Sequence, residues 1–185
     1  MTDITSTRGT SPHTSSLTAP LPAREDRIVE LIELLFFAYR DFTAGPDKIL
    51  SEIGFGRAHH RVLHFVNRYP GLRVADLLDI LKITKQSLAR VLKQLVEQGY
   101  IEQRSGVTDR RERLLHATAK GATLARRLME PQQARVGRAV EEAGATGAPT
   151  LAELLFALID PPEQAAVAAL IEGRGRRRGS GETDD

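Results

Sequence analysis

A chain of 185 residues, 41% of them hydrophobic, can build one core with tails but leaves little room for a large multi-domain enzyme. Lys and Arg total 26 against 24 Asp and Glu, a formal charge of +2, so any attraction to a polyanion must come from local clustering. With no cysteine there is no disulfide, thiolate metal site or cysteine redox switch, and with no secretion signal or long apolar run the chain reads as cytoplasmic and not membrane-bound.

Residues 1–23 are rich in Ser, Thr and Pro and almost without large apolar side chains, which predicts a flexible N-terminal arm. From Glu25 to Phe42 the apolar residues Ile28, Leu31, Ile32, Leu34, Leu35, Phe36, Phe37, Tyr39 and Phe42 occupy more than one helical face. Such a helix needs cover on two sides, one of them in a second subunit. Residues 24–56 are therefore expected to be a dimerisation helix and linker, ended by Gly54-Phe55-Gly56. Arg57 to Tyr69 forms the next helix, with Val62, Leu63, Phe65 and Val66 inward, and Pro70-Gly71 stops it.

Two short helices come next. Val74, Leu77, Leu78 and Leu81 have helical spacing, Lys82-Ile83 forms the connection, and Thr84 is placed to cap the second helix. In that helix Leu88, Val91, Leu92, Leu95 and Val96 form the core stripe, opposite Lys85, Gln86, Ala89, Arg90 and Lys93. Gly99 ends it. Tyr100 to Arg104 and Glu112 to Ala117 read as strands flanking a loop over Ser105 to Arg111. Residues 57–118 thus predict a winged helix-turn-helix lobe with a small β-hairpin wing, in a mainly α fold.

Thr118 is placed to cap a long helix from Ala119 to about Ala143, with Leu124, Leu128, Val136 and Val140 buried and a kink at Pro131. A break over Gly144 to Thr150 precedes a further helix, and Asp160, Pro161 and Glu163 supply an N-cap, a first-turn proline and a capping-box partner for the last one. Residues 119–172 are expected to be C-terminal dimerisation helices, and 173–185 a disordered tail of four arginines and then acids.

A helix-turn-helix lays its second helix in the major groove, where donors from the first turns meet bases and phosphates. Thr84, Lys85, Gln86, Ser87, Arg90 and Lys93 fit by type and spacing. Gln86 and Arg90 suit base edges, whereas Lys85 and Ser87 suit phosphate. A lone helix with this face is more often simply solvated, but the attached hairpin shifts the balance. From Thr84 to His116 seven Lys or Arg stand against four Asp or Glu, a larger local excess than that of the whole chain. His60 and His64 have the i, i+4 spacing of two metal ligands, yet a third ligand would have to arrive by folding, so packing is the preferred role and no metal or cofactor is expected.

The helix order with KITKQSLARVLKQLVEQGYIEQR, then DRRERLLHATAKG, resembles the winged helix-turn-helix of the MarR family of transcriptional regulators across roughly Glu25 to Gly173. The resemblance implies no enzyme but a homodimeric DNA-binding regulator, often a repressor released by a small molecule, on a pseudo-palindromic duplex operator. It also implies that Arg104, Asp109, Arg110 and Arg111 form a wing contacting the minor groove, with Asp109 orienting an arginine. A pocket for an aromatic or acidic effector would involve Tyr39, Arg40, His60, His64 and Phe65. The alternative is a non-specific architectural DNA binder.

Overall fold

The computed structural model describes residues 24–106 and 112–179, and the chain divides into two compact units after Arg57. In the first unit α1 spans Arg24–Ser51 and runs on through Pro46. Its N-terminal half exposes a continuous apolar surface in which Phe36 is 69% and Phe37 55% accessible. Toward its end Leu50 and Pro46 are buried, and Asp47 forms an ion pair with Arg57 at 2.8 Å.

The second unit holds the helix-turn-helix, the hairpin and the C-terminal helices. α2 (Arg57–Arg68) buries Val62, Leu63 and Val66. Strand β1 (Leu72–Arg73) leads directly into α3 (Val74–Leu81), then come α4 (Lys85–Glu97), β2 (Ile101–Ser105) and β3 (Arg113–Ala117). The three strands form an antiparallel sheet in the order β1-β3-β2, with Leu72 opposite Leu115 and Gln103 opposite Leu115 on the other side. Sequence periodicity does not reveal β1, because two residues cannot display an alternation. Leu115, at the centre of the sheet, is fully buried.

The core collects the apolar stripes of these elements: Leu77 and Leu81 of α3, Leu88, Val91, Leu92 and Leu95 of α4, Ile101 of β2, and Leu124 and Leu128 of the next helix. Each such side chain contributes about 1.5–3 kcal/mol on burial, an upper estimate because unfolded chains are partly compact. That next helix, α5 (Ala119–Ala143), contains Pro131 without being interrupted there. Val136, expected to be inward, is 40% accessible: it lies beyond the stretch that rests on the lobe, whose last buried residues are Leu128 and Gln132.

α6 (Gly147–Ala157) begins earlier than the Gly/Ala/Thr/Pro composition suggests, since Pro149 falls in its first turn, where a missing N–H costs nothing. None of its side chains is buried, and Leu151, Leu154, Leu155 and Phe156 face solvent. α7 (Pro161–Gly179) starts at Pro161 as the sequence implies but continues past Gly173, where a disordered tail is expected. Glu163, expected to cap its own helix, instead holds Lys82 Nζ at 3.0 Å. Among the described residues no helix is long and apolar enough to cross a membrane.

Candidate nucleic-acid interface

The turn between α3 and α4 fixes where α4 points. Lys82 caps α3 in the left-handed region, at φ 50°, and its N–H donates to Leu78 O at 2.9 Å. Lysine in that conformation costs roughly 1 kcal/mol relative to glycine. Two contacts brace the turn: the Lys82–Glu163 ion pair, and Arg61 Nη2 donating to Leu81 O at 3.2 Å. Thr84 caps α4 as its sequence position suggests, its Oγ1 accepting from Ser87 N at 3.1 Å and donating to Ser87 Oγ at 2.9 Å. The first of these bonds satisfies one of the unpaired backbone donors at the start of α4, and the second ties the Thr84 and Ser87 hydroxyls together at the cap.

One face of α4 is core and the other is solvent. Lys85, Gln86, Arg90 and Lys93 are all exposed. Lys93 pairs with Glu97 at 3.7 Å, while Lys85, Gln86 and Arg90 make no side-chain hydrogen bond or ion pair to another described residue. They project from a helix whose opposite side is buried in the core, so their polar ends are available. On the flank of the same helix Gln94 Oε1 meets His59 Nε2 of α2 at 2.7 Å, a long-range link that no local pattern announces.

The far end of α4 is closed by a left-handed glycine. Gly99, at φ 73°, donates to Val96 O at 2.9 Å, and Tyr100 N donates to Leu95 O at 2.8 Å, the paired bonds of a Schellman turn. The buried Tyr100 then leads into β2.

The base of the hairpin is tied to α3 through Arg73. Its guanidinium bonds Asp76 at 2.6 Å, within the first turn of α3, and reaches Glu112 at 3.4 Å, where the chain re-enters the sheet. The hydrogen bond from Arg73 holds the Asp76 carboxyl below the usual carboxylate range, and the two acids together raise the guanidinium's own pKa well above its ordinary value. Gly106 N donates to Glu112 O at 3.1 Å, closing the last rung. Arg104 pairs with Glu102, so its charge is partly answered within β2. Asp109, Arg110 and Arg111 lie outside the described residues.

The residues read as a ligand pocket fall in both units. In the first, Arg57 lies 5.5 Å over the Tyr39 ring and Arg40 pairs with Asp41 at 2.8 Å. In the second, His64 stands edge-on to Phe65 at 5.1 Å and to His60 at 6.5 Å, all on α2. Burial, then the charges of His60 and Arg68, lower the His64 pKa and favour a neutral ring. Beside the exposed face of α4, a groove of about 1110 Å³ runs between α3, α4 and β2, lined by Val74, Leu78, Leu92, Val96, Ile101 and Lys93 among others. It arises where three elements meet, so no single segment of sequence foretells it.

Comparison with known proteins agrees with this geometry. A profile described as MarR family matches residues 53–112. The HTH-type transcriptional regulator PetP of Rhodobacter capsulatus is 48% identical over 137 residues, covering 74% of this chain and 82% of PetP. Among solved structures, a mutant of MarR from E. coli complexed with operator DNA has a TM-score of 0.56 at 21% identity, covering 75% of this chain and 100% of that one. A putative MarR family regulator from Listeria monocytogenes complexed with 26mer DNA has a TM-score of 0.59 at 16% identity, covering 83% and 97%. The structural likeness carries the mainly helical winged fold, the relation to PetP carries the ancestry, and together they establish that this chain belongs to the MarR family of transcription regulators.

Proposed function

We propose that the protein is a homodimeric, sequence-specific DNA-binding regulator in which α4 enters the major groove and the hairpin loop reaches the minor groove. The observation that carries this reading is the solvent face of α4: Lys85, Gln86 and Arg90 stand exposed, with no side-chain hydrogen bond or ion pair among the described residues, on a helix whose other side is buried. Gln86 and Arg90 read base edges, Lys85 and Lys93 hold phosphates, and Arg104, Arg110 and Arg111 add the wing's charge, with Asp109 orienting an arginine. The operator DNA present with one structural relative and the 26mer DNA present with another support the partner.

The exposed apolar faces of α1 and α6 support a second copy as the covering surface, since patches of this extent mark association sites. Two-fold symmetry then sets the recognition helices about 34 Å apart on a pseudo-palindromic site. The regulator acts as a repressor, released by a small aromatic or acidic ligand.

Competition between the gene's own upstream duplex and random duplex tests the specific reading. A preference of about a thousandfold or more is expected, with affinity falling steeply as salt rises. Equal binding to both duplexes would favour an architectural protein instead.

A further inference from the structure

The C-terminal end of α4 is not simply capped; it is clasped by the first turn of α5. Thr118 Oγ1 donates to Gly99 O at 2.7 Å, and Thr118 N donates to Tyr100 O at 3.1 Å. Lys120 Nζ donates to Gln98 O at 2.8 Å and sits 4.2 Å above the centre of the Tyr100 ring. Gly121 completes the contact, because a Cβ there would lie 1.9 Å from Tyr100 O. The backbones touch with no room for a side chain between them.

We propose that Lys120 is a positioning residue for DNA reading: from the start of α5 its ammonium group grips the carbonyl of Gln98, which caps α4, and the Tyr100 ring, and so sets the pitch at which the recognition face is presented. This rests on the reading of α4 as the recognition helix. Two physical points make Lys120 suited to the task. Gln98 O lies at the negative end of the α4 dipole, where a cation is stabilising and a carbonyl otherwise lacks a helical partner. The ring face of Tyr100 adds a second attraction for the same charge.

The lever is long. Thirteen residues make α4 about 20 Å from end to end, so a swing of ~10° about the clasp moves its N-terminal turn by ~3 Å. That displacement exceeds what a paired hydrogen bond from Gln86 or Arg90 tolerates. Lys120 therefore governs base reading while sitting at the opposite end of the helix from the residues that perform it. A clasp on the long helix also passes any shift of α5 directly to α4.

The test uses the full chain as wild type, Lys120→Met and Lys120→Arg. Lys120 is exposed, so neither substitution opens a cavity. In Lys120→Met the preference for operator over random duplex should fall about tenfold, with the slope of log affinity against log salt unchanged. Lys120→Arg should restore the preference. Without DNA, hydrogen exchange at the amides of Gln98, Gly99 and Tyr100 should quicken in Lys120→Met and recover in Lys120→Arg. A salt slope lower by about one, with operator and random duplex weakened alike, would mean that Lys120 touches phosphate and would overturn the proposal. Unchanged preference with unchanged exchange would overturn it equally. If wild type itself shows no operator preference, the recognition reading fails, and the exchange measurement alone decides whether Lys120 holds the end of α4.

Discussion

α4 and α1 both present a broad surface to solvent, and the two surfaces differ in kind. α4 shows amines, a guanidinium and an amide, backed by four buried aliphatic side chains that leave the helix no freedom to roll. The exposed stretch of α1 from Ile28 to Tyr39 shows Leu, Ile and Phe, with only Glu30 and Glu33 charged among them. The first surface is complementary to a hydrated polyanion and the second to another apolar face. A helix's exposed chemistry thus identifies its partner more directly than its secondary structure does, since both segments are equally good helices.

The largest effect should come from damaging the apolar surface. Phe36→Glu with Phe37→Glu is expected to weaken self-association by about a thousandfold, on the order of 4 kcal/mol for two anchoring aromatics, measured by sedimentation. Unchanged association would remove α1 from the interface. Next is the joint behind α4: Gly121→Ala should cost about 3 kcal/mol in denaturant unfolding, because backbone rather than a flexible side chain blocks the new methyl. A wild-type midpoint would contradict that packing.

Arg90→Ala addresses the polar surface itself. Operator affinity should drop by about 2 kcal/mol, roughly thirtyfold, with association and melting unaltered. A change in association would erase the contrast between the two helices. The smallest effect concerns α2, where burial lowers the pKa of His64. Its folded pKa lies below the ordinary 6.5, so the unfolded chain takes up the proton first and stability falls as pH drops below about 6.5. Replacing His64 by Leu should flatten stability over that acid range; an unaltered slope would point to another group.

The parts of this molecule written in a local code were legible in the sequence. The stripe from Leu88 to Leu95 repeats with helical period, Thr84 and Thr118 cap the helices they precede, and Gly99 adopts the left-handed geometry its position implies. The features that escaped were non-local or unconventional. Strand β1 exists only because β3 pairs with it. The link from His59 to Gln94 joins residues 35 apart, and Lys82 occupies a conformation for which glycine is the usual signal. Val136 carries an apolar side chain in helical register yet lies beyond the lobe's reach, and periodicity alone cannot say where a supporting surface ends. In the candidate site, the residue types and the helix face were readable. The clasp at Lys120 was not, because its partner is a backbone carbonyl 22 positions away.

The solvent face of α4 has one more consequence, and it concerns inheritance. Lys85, Gln86 and Arg90 contribute little to folding, since exposed substitutions away from caps and networks change stability by no more than about 0.5 kcal/mol. Gly121 tolerates almost nothing. Lineages carrying this scaffold can therefore rewrite the letters they recognise one residue at a time, each step invisible to the stability of the protein, while the joint that aims those letters stays fixed.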